Sequence, residues 1–403
     1  MKVLVIHNAG QSNLPSGEIA VVNAEVGELI KKGIEVECHI EYNDQIINSS
    51  PVKAVAAGLN IFWSYDSYRT TQFLIEKHQP DVVHYHSVLP LLTASTFYAC
   101  RSKGVPVVQT LHNYRWFCVE GGLYRDHAYC QDCLDRGSHR GVIGRCSRNS
   151  LGISSLLTLN NEIYVRRKKL FTLVHTFIAV SHFLRDKHIE AGFPAEQLVV
   201  KYNGIDAASL SEEIVPGDKR RGIIFVGRLT PAKGTDMLVE IMRRIRDVPI
   251  NIVGSGPELA KLSSLCEASR FGHVNFLGRK TSAEVLALMA TSACVVVPSV
   301  FAETFGLVAA EAMACGTPVV ASNAGALEEI VGSSGGGLTV SPELGVEGFV
   351  NAINSIITSP DKIHELGTRG RNFVAHNLTL ESSVEKLICI YQQVIAKRHY
   401  AVC

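Results

Sequence analysis

The sequence has little net charge and no long apolar run. Its 39 Lys and Arg residues nearly balance 38 Asp and Glu residues, so the net charge of +1 provides no overall field to attract nucleic acid. No continuous apolar run reaches the roughly 18 residues that would span a bilayer. The opening stretch, MKVLVIHNAG, begins a strand pattern without the apolar segment of a signal peptide. These absences predict a cytoplasmic protein that does not bind nucleic acid.

The absence of an export signal also bears on the 11 cysteines, which are expected to be reduced thiols rather than a disulfide framework. The sequence also lacks the composition of a disordered chain. Of its residues, 46% are hydrophobic and 19% are charged, which argues against disorder over most of its length. A length of 403 residues exceeds what one hydrophobic core usually supports. Two domains are therefore predicted.

Strand and helix patterns alternate twice along the chain. KVLVIH, IEVECHI and VPVVQTLH are strand-like in the first half, and GIIFVGR, PINIVG and ACVVVPS are strand-like in the second. This alternation predicts an α/β fold with two parallel sheets, each covered by helices. The predicted domains are residues 1–200 and 201–375, with a carboxyl-terminal helix at 376–403 that packs back on the first domain. Periodicity lapses between them, in NGIDAASLSEEIVPGDKRRG.

Two motifs of other ligand-binding proteins are missing. GSGPE has Gly254 and Gly256 at a strand end but lacks the third glycine of the dinucleotide fingerprint, so NAD binding is not favoured. This turn is either structural or brings the backbone close to a ligand. No D-x-D motif stands where a metal-dependent transferase would need one.

Polar residues follow two strands of the second half. Arg228 and Lys233 stand in FVGRLTPAKGTDML, between a strand and a helix, where two cations and the helix amino terminus suit a diphosphate. An ordinary solvated turn is the alternative. Glu303 and Glu311 stand in SVFAETFGLVAAEAMACG, and Glu311 lies among alanines and methionine in a predicted helix. Because a buried carboxylate is costly without a partner, a ligand is expected there; a capping role for Glu303 and an exposed position for Glu311 are the alternatives.

These motifs resemble those of the family 4 retaining nucleotide-sugar glycosyltransferases. The resemblance is carried by FVGRLTPAKGTDML, NGID, GSGPE, FLG and the two glutamates of the E-x7-E element, over roughly residues 199–330. The first half is similar to a branch that assembles cell-surface polysaccharides, through SGE, PDVVHYHS and QTLHNYRWFC. It has a single glycine, Gly17, where many members have two. The resemblance implies the GT-B fold, in which two Rossmann-like domains face a deep cleft.

The resemblance also implies a role for each site residue. Arg228 and Lys233 would hold the diphosphate of a UDP- or GDP-linked sugar, Glu303 and His112 would contact the hexose, and Glu311 would bind the ribose hydroxyls. Further donor contacts are implied for seven residues: Gly17, Asn203, Gly254, Arg279, Phe305, Gly306 and Leu307.

The implied reaction is transfer of a hexose to a saccharide or lipid-linked acceptor, with retention of anomeric configuration. The leaving phosphate would take the acceptor proton, so neither a metal nor another catalytic cofactor is expected. A sugar-nucleotide epimerase and a non-catalytic nucleotide-sugar-binding subunit are the alternatives. His84 and His86 point the same way from one predicted strand. They are either structural histidines with hydrogen bonds inside the protein or contacts for the acceptor.

An insert at residues 118–146 carries four cysteines with the spacing C-x11-C-x2-C-x12-C. CQDC is a common start of a tetrahedral zinc site, so a structural zinc at Cys118, Cys130, Cys133 and Cys146 is one interpretation and four reduced thiols the other. Less than about a tenth of an equivalent of metal in protein purified without chelator would reject zinc.

Cations in and after the insert suggest a peripheral contact with anionic lipid on the inner face of the plasma membrane. A solvated surface is the alternative for each cluster. The residues are Arg136, Arg140, Arg145, Arg148 and the run Arg166–Lys169.

Overall fold

A computed structural model describes residues 1–12, 16–44, 60–206 and 214–401. The chain divides into two compact units. The first consists of Met1–Leu123, Gln131–Gly204 and Leu380–Cys403, and the second of Tyr124–Cys130 and Ile205–Thr379. Residues 207–213, within the predicted boundary segment, lie outside the described residues.

The first unit contains a six-stranded parallel sheet with the order β2-β1-β3-β4-β7-β8. Its strands are β1 (Lys2–Ala9), β2 (Glu35–Tyr42), β3 (Val82–Tyr85), β4 (Val107–Leu111), β7 (Thr176–Ala179) and β8 (Leu198–Val200). The strands between β4 and β7 form a separate antiparallel hairpin, β5 (Tyr124–Arg125) and β6 (Ala128–Tyr129), which belongs to the second unit. The helices are α1 (Gly17–Lys31), α2 (Tyr65–His78), α3 (Ser95–Ser102), α4 (Asp132–Asp135), α5 (His139–Ile143), α6 (Leu151–Asn161) and α7 (His182–Glu190).

The second unit contains another six-stranded parallel sheet, with the order β11-β10-β9-β12-β13-β14. Its strands are β9 (Ile223–Val226), β10 (Ile250–Val253), β11 (Val274–Gly278), β12 (Cys294–Val297), β13 (Val319–Ser322) and β14 (Gly337–Val340). Its helices are α8 (Thr235–Arg244), α9 (Leu259–Ala268), α10 (Ser282–Thr291), α11 (Leu307–Ala314), α12 (Gly345–Ile357) and α13 (Pro360–Asn377). The predicted fold class, with two Rossmann-like parallel sheets, is confirmed.

Apolar patterning explains how the helices cover the sheets. In α8, the buried positions Leu238, Val239, Ile241 and Met242 recur at helical spacing and join the core of the second unit. The last helix, α14 (Leu380–Ala401), lies in the first unit. Its Leu387 belongs to the same buried cluster as β1 and α1.

The strand order of the second sheet reverses at its centre, where β9 is hydrogen-bonded to both β10 and β12. In an open α/β sheet, the carboxyl ends of the strands on either side of such a reversal form a crevice that binds ligands. The loops that follow β9 and β12 are therefore where a ligand is expected in this unit. None of the helices among the described residues has the length and apolar character needed to cross a bilayer.

Candidate functional site

The loops after β9 and β12 are joined to each other by their backbones. The Val300 amide donates to the Ala232 carbonyl at 2.9 Å. Gly234 is the N-cap of α8, with a φ of +78°, and a Cβ atom built there would lie 1.8 Å from the Pro298 carbonyl oxygen. No side chain fits at this contact, so glycine is required for the two loops to approach this closely.

Three polar side chains meet across this junction. Nζ of Lys233 lies 2.7 Å from Oε1 of Glu303, and the Ser299 hydroxyl donates to the same oxygen at 2.7 Å. Glu303 is 8% exposed and Ser299 is 2% exposed. The Lys233 ammonium also lies 4.8 Å from the centre of the Phe301 ring, within the range of a cation–π interaction. The structure thus brings Lys233 and Glu303 together in a partly enclosed position.

The backbone of Glu303 is held by the loop after β13. Glu303 pairs with Gly325 as an isolated β-bridge, and its carbonyl accepts from the Ala326 amide at 2.8 Å. A Cβ atom on Gly325, whose φ is +66°, would lie 2.3 Å from the Glu303 carbonyl oxygen. The carboxylate is therefore presented by a backbone that the loop after β13 holds in place.

The helix after Glu303 begins at a left-handed glycine. Gly306 has a φ of +90° and is the N-cap of α11, and Leu307 is the first helical residue. Phe305, just before it, is buried. Amide groups in the first turn of a helix have no partner within the helix and favour negative charge. Phe305, Gly306 and Leu307 thus stand at a helix start that follows directly from Glu303.

Glu311 lies inside α11, as predicted, between buried Ala310 and Ala312. The residue is half-buried, and burial raises the pKa of its carboxyl to about 7. A carboxylate with a pKa this high is poorly solvated, so a ligand that donates hydrogen bonds to it would offset part of the cost.

The remaining predicted donor contacts of this unit lie after neighbouring strands. Arg228 follows β9 and is exposed. Gly254 follows β10 with a φ of +140°, and its Cβ position would lie 1.9 Å from the Gly227 carbonyl oxygen, which explains the glycine. Arg279 follows β11 and is exposed, with interactions inside the protein.

In the first unit, polar groups gather at the start of α1. Glu18 follows Gly17 and accepts from the Ser87 hydroxyl at 2.8 Å and from the Asn113 side chain at 3.3 Å. The pKa of Glu18 is lowered despite the opposing effect of burial, because His112 is close and these bonds favour the carboxylate. His112 itself is 8% exposed, and burial lowers the pKa of its imidazole.

Asn203 is the other predicted donor contact of the first unit. It is 3% exposed, and its side-chain oxygen has no hydrogen-bond partner among the described residues.

His84 and His86 are both buried, at 1% exposure each. His84 bonds to the Tyr391 hydroxyl at 2.7 Å and to the Thr110 hydroxyl at 2.8 Å. Of the two alternatives left open by the sequence, the structural one fits the position of His84.

None of the four cysteines of the insert forms a disulfide in the described part of the chain. In the described part of the chain, one set of three or more potential metal ligands lies within 4.8 Å of one another, and it is Glu25, His84 and His86. The thiols thus do not form such a set here. Burial raises the pKa of the Cys118 thiol to about 12, with nearby Cys133 as a smaller cause. The zinc stays a prediction without support from this geometry.

Three residues of the second-unit site were missed by the sequence analysis. Ser299 and Phe301 stand within the same short stretch as Glu303, but serine and phenylalanine after a strand carry no specific signal. Gly325 could have been suspected as a turn residue after β13, but its contact with Glu303 follows only from the three-dimensional structure.

Comparisons with known proteins match both halves of the chain. Residues 21–209 match the family described as Glycosyltransferase Family 4, and residues 207–373 match Glycosyl transferases group 1. An uncharacterized glycosyltransferase of Methanocaldococcus jannaschii is 24% identical over 93% of this chain and 95% of its own length.

Solved structures match the fold over nearly the whole chain. Anabaena HepE, in complex with UDP and glucose, aligns with a TM-score of 0.68 and 19% identity over 98% of this chain and 100% of that chain. Sucrose-phosphate synthase from Thermosynechococcus elongatus aligns with a TM-score of 0.71 and 19% identity, over 98% and 100%. The chain belongs to the family 4 glycosyltransferases of GT-B architecture.

Proposed function

We propose that this glycosyltransferase moves a hexose from a nucleotide diphosphate sugar to a saccharide or lipid-linked acceptor in surface polysaccharide synthesis, with retention of configuration. The observation that carries the proposal is the contact of Lys233 with Glu303 at the strand reversal of the second sheet. A cation and a carboxylate side by side suit a ligand that joins a diphosphate to a sugar.

The donor would bind with its diphosphate near Lys233 and Arg228. When the bond between the sugar and the phosphate breaks, negative charge builds up on the leaving phosphate, and fixed cations stabilise it. The same cations supply the charge that a divalent metal gives in other transferases, which is why we propose a metal-independent reaction. The departing phosphate would accept the proton of the acceptor hydroxyl on the face where the new bond forms.

The hexose and the nucleoside would be held by the two glutamates. The contacts with Lys233 and Ser299 both use Oε1 of Glu303, and the carboxylate would accept from sugar hydroxyls. Amides at the start of α11, at Phe305, Gly306 and Leu307, would lie beside it. Ribose hydroxyls would donate to Glu311 and favour its ionised form.

The other proposed donor contacts are the turn at Gly254, the Arg279 side chain and, in the first unit, Gly17 and Asn203. His112 would be the first unit's contact with the hexose. UDP is the favoured nucleotide because the aligned HepE structures contain UDP or UDP-glucose, while GDP stays open.

A peripheral contact with an anionic membrane is supported by the outer face of α6. Leu151 and Leu159 are exposed there, whereas Ser154, Leu157 and Asn160 of the same helix are buried. The run Arg166–Lys169 is exposed as well. Replacing both leucines by serine should release the protein from vesicles that contain anionic lipid, in a flotation assay; unchanged flotation would remove this face from membrane binding.

A thermal-shift panel of nucleotides and nucleotide sugars tests the donor class. A ligand that binds only the folded protein raises its melting temperature, so one nucleotide and its sugar conjugates should do so. NMR of the anomeric proton in the product of that donor then tests retention. A panel without any stabilising nucleotide would contradict the proposal, and an inverted product would contradict the retaining mechanism.

A further inference from the structure

In the first unit, a buried row of charged and histidine side chains leads to His112. Lys201 and Glu25 form an ion pair with Nζ and Oε1 2.6 Å apart, and their side chains are 0% and 2% exposed. The other carboxylate oxygen, Oε2, lies 3.9 Å from Nε2 of His86. Nδ1 of His86 lies 2.8 Å from Nε2 of His112.

The cost of this arrangement indicates a use beyond stability. Burying a lysine and a glutamate requires desolvation of both charges, and an ion pair does not always repay that free energy. Lys201 gains a further bond to the Ser383 hydroxyl at 3.0 Å. Oε2 of Glu25, in contrast, has no hydrogen-bond partner among the described residues. One carboxylate oxygen is thus held by Lys201 while the other faces His86.

A metal ion is one possible use, because Glu25, His84 and His86 have ligand atoms within 4.8 Å of one another. Two observations oppose it. Both ring nitrogens of His84 already have hydroxyl partners, Tyr391 and Thr110. The Lys201 ammonium lies 2.6 Å from Oε1 of the same carboxylate and would repel a second cation.

The contacts that run from Lys201 through Glu25 and His86 to His112 bear instead on which nitrogen of His112 carries a proton. Burial lowers the pKa of both His86 and His112, so both rings are neutral near pH 7 and each carries one N–H. In the bond between them, one ring must donate and the other must accept.

The Glu25 carboxylate distinguishes the two arrangements. If His86 donated from Nδ1, its Nε2 lone pair would face the carboxylate, and the two would repel. If His86 carries its proton on Nε2, that N–H faces Glu25 and Nδ1 accepts from Nε2–H of His112.

We propose that Glu25 and His86 are positioning residues that fix the proton of His112 on Nε2, so that its Nδ1 is an acceptor for a substrate hydroxyl. This inference rests on the proposed function only for the identity of that hydroxyl, which would belong to a sugar. Glu25 and His86 act through His112 and touch no substrate, and Lys201 holds Oε1 of Glu25.

Other charged groups around the ring also act on it. Glu18 and Glu25 both favour positive charge on the ring, while Lys201 opposes it. The two oxygens of Glu18 already accept from Ser87 and Asn113. His7 is a further buried neighbour, and burial lowers its pKa to about 4, so it is neutral near pH 7.

NMR of protein labelled with ¹⁵N in the histidine rings tests the proposal without substrate. The His112 signals are identified by their loss in His112→Gln. In the wild type they should report a protonated Nε2 and a bare Nδ1 at neutral pH. Protonated Nδ1 in the wild type would overturn the proposal.

Two variants and a control complete the experiment. Glu25→Gln should shift His112 toward the other tautomer and lower kcat/KM about tenfold, the size expected for one misplaced hydrogen bond. The Glu25→Gln variant leaves the Lys201 ammonium buried without its partner. The double variant Glu25→Gln with Lys201→Met removes both charges, and the same shift of the His112 tautomer is expected in it. Tyr391→Phe removes the hydroxyl that is hydrogen-bonded to His84 and should leave the His112 signals unchanged.

An unchanged tautomer in both Glu25 variants would overturn the proposal. Failure of the proposed function would look different: the tautomer signals would behave as expected while no nucleotide sugar was turned over.

Discussion

At the scale of single residues, Lys233 and Glu303 could be predicted from the sequence and Ser299 could not. Glu303 and Lys233 belong to spaced motifs with a chemical meaning, whereas Ser299 gains its importance from a 2.7 Å contact with Oε1 of Glu303. The Ser299 hydroxyl fixes the rotamer of Glu303 and shares the oxygen that Lys233 binds. Its contribution is therefore visible only in three dimensions.

Replacing Ser299 by alanine should lower kcat/KM by about tenfold to a hundredfold, because a hydrogen bond to a charged group is lost and Glu303 is less well held. Steady-state kinetics with the identified donor measure this effect. Ser264→Ala, at an exposed position of α9 in the same unit, is the matched control and should retain activity. Wild-type kinetics for Ser299→Ala would show that this serine does not position the carboxylate.

Glu311 should make stability depend on pH in an unusual direction. Its pKa of about 7 in the folded protein exceeds the ordinary value of 4.5, so its stabilising contribution is complete below pH 4.5 and is lost as the pH rises through about 7. Glu311→Gln stays neutral throughout. The difference in free energy of unfolding, variant minus wild type, should therefore increase by up to about 3 kcal/mol between pH 4.5 and 8.

Urea unfolding at the two pH values measures this change for Glu311→Gln. Glu267→Gln, at an exposed position of α9, is the control. A difference for Glu311→Gln that does not change with pH would mean that the carboxyl is better solvated than its surroundings indicate.

At the scale of elements, alternating patterns predicted the parallel sheets because each buried strand is a short β-branched run between turn residues. Val295, Val296 and Val297 of β12 are an example. The order of the strands did not follow from local sequence, since it depends on which helices cross which face. The contact between the β9 and β12 loops, at Gly234 and Pro298, follows from that order.

Gly234→Ala should destabilise this junction, because the new methyl group would overlap the Pro298 carbonyl and alanine disfavours a φ of +78°. We expect a loss of at least about 2 kcal/mol in the free energy of unfolding, together with lower turnover. Chemical denaturation measures the first. Gly272→Ala is the control, since its Cβ position has no atom within 4 Å. Equal stability of Gly234→Ala and the wild type would refute the close contact of the two loops.

At the scale of the whole molecule, the two-sheet architecture and the family could be anticipated, because five motifs occur in order over the second half of the chain. The buried network of Lys201, Glu25 and His86 could not, since its members are far apart in sequence. The four-cysteine insert is the opposite case: its spacing suggested zinc, and in the described part of the chain no three of its thiols lie within 4.8 Å of one another.

The nucleotide base and the acceptor could not be predicted from the sequence motifs. Motifs for the diphosphate and sugar are shared across the family, whereas the base and the acceptor depend on a few side chains and backbone contacts.

The central claim is that the site at Lys233 and Glu303 breaks the bond between a hexose and a nucleotide diphosphate. The most direct measurement is the rate of nucleotide release from the identified donor, without acceptor, by the wild type, Lys233→Ala, Glu303→Ala and the control Lys261→Ala. We expect slow release by the wild type and the control, and a rate at least about a hundredfold lower in the other two variants, a loss of about 3 kcal/mol of transition-state stabilisation. Wild-type rates in Lys233→Ala or Glu303→Ala would contradict the claim, and the absence of release by the wild type would favour a nucleotide-sugar-binding subunit.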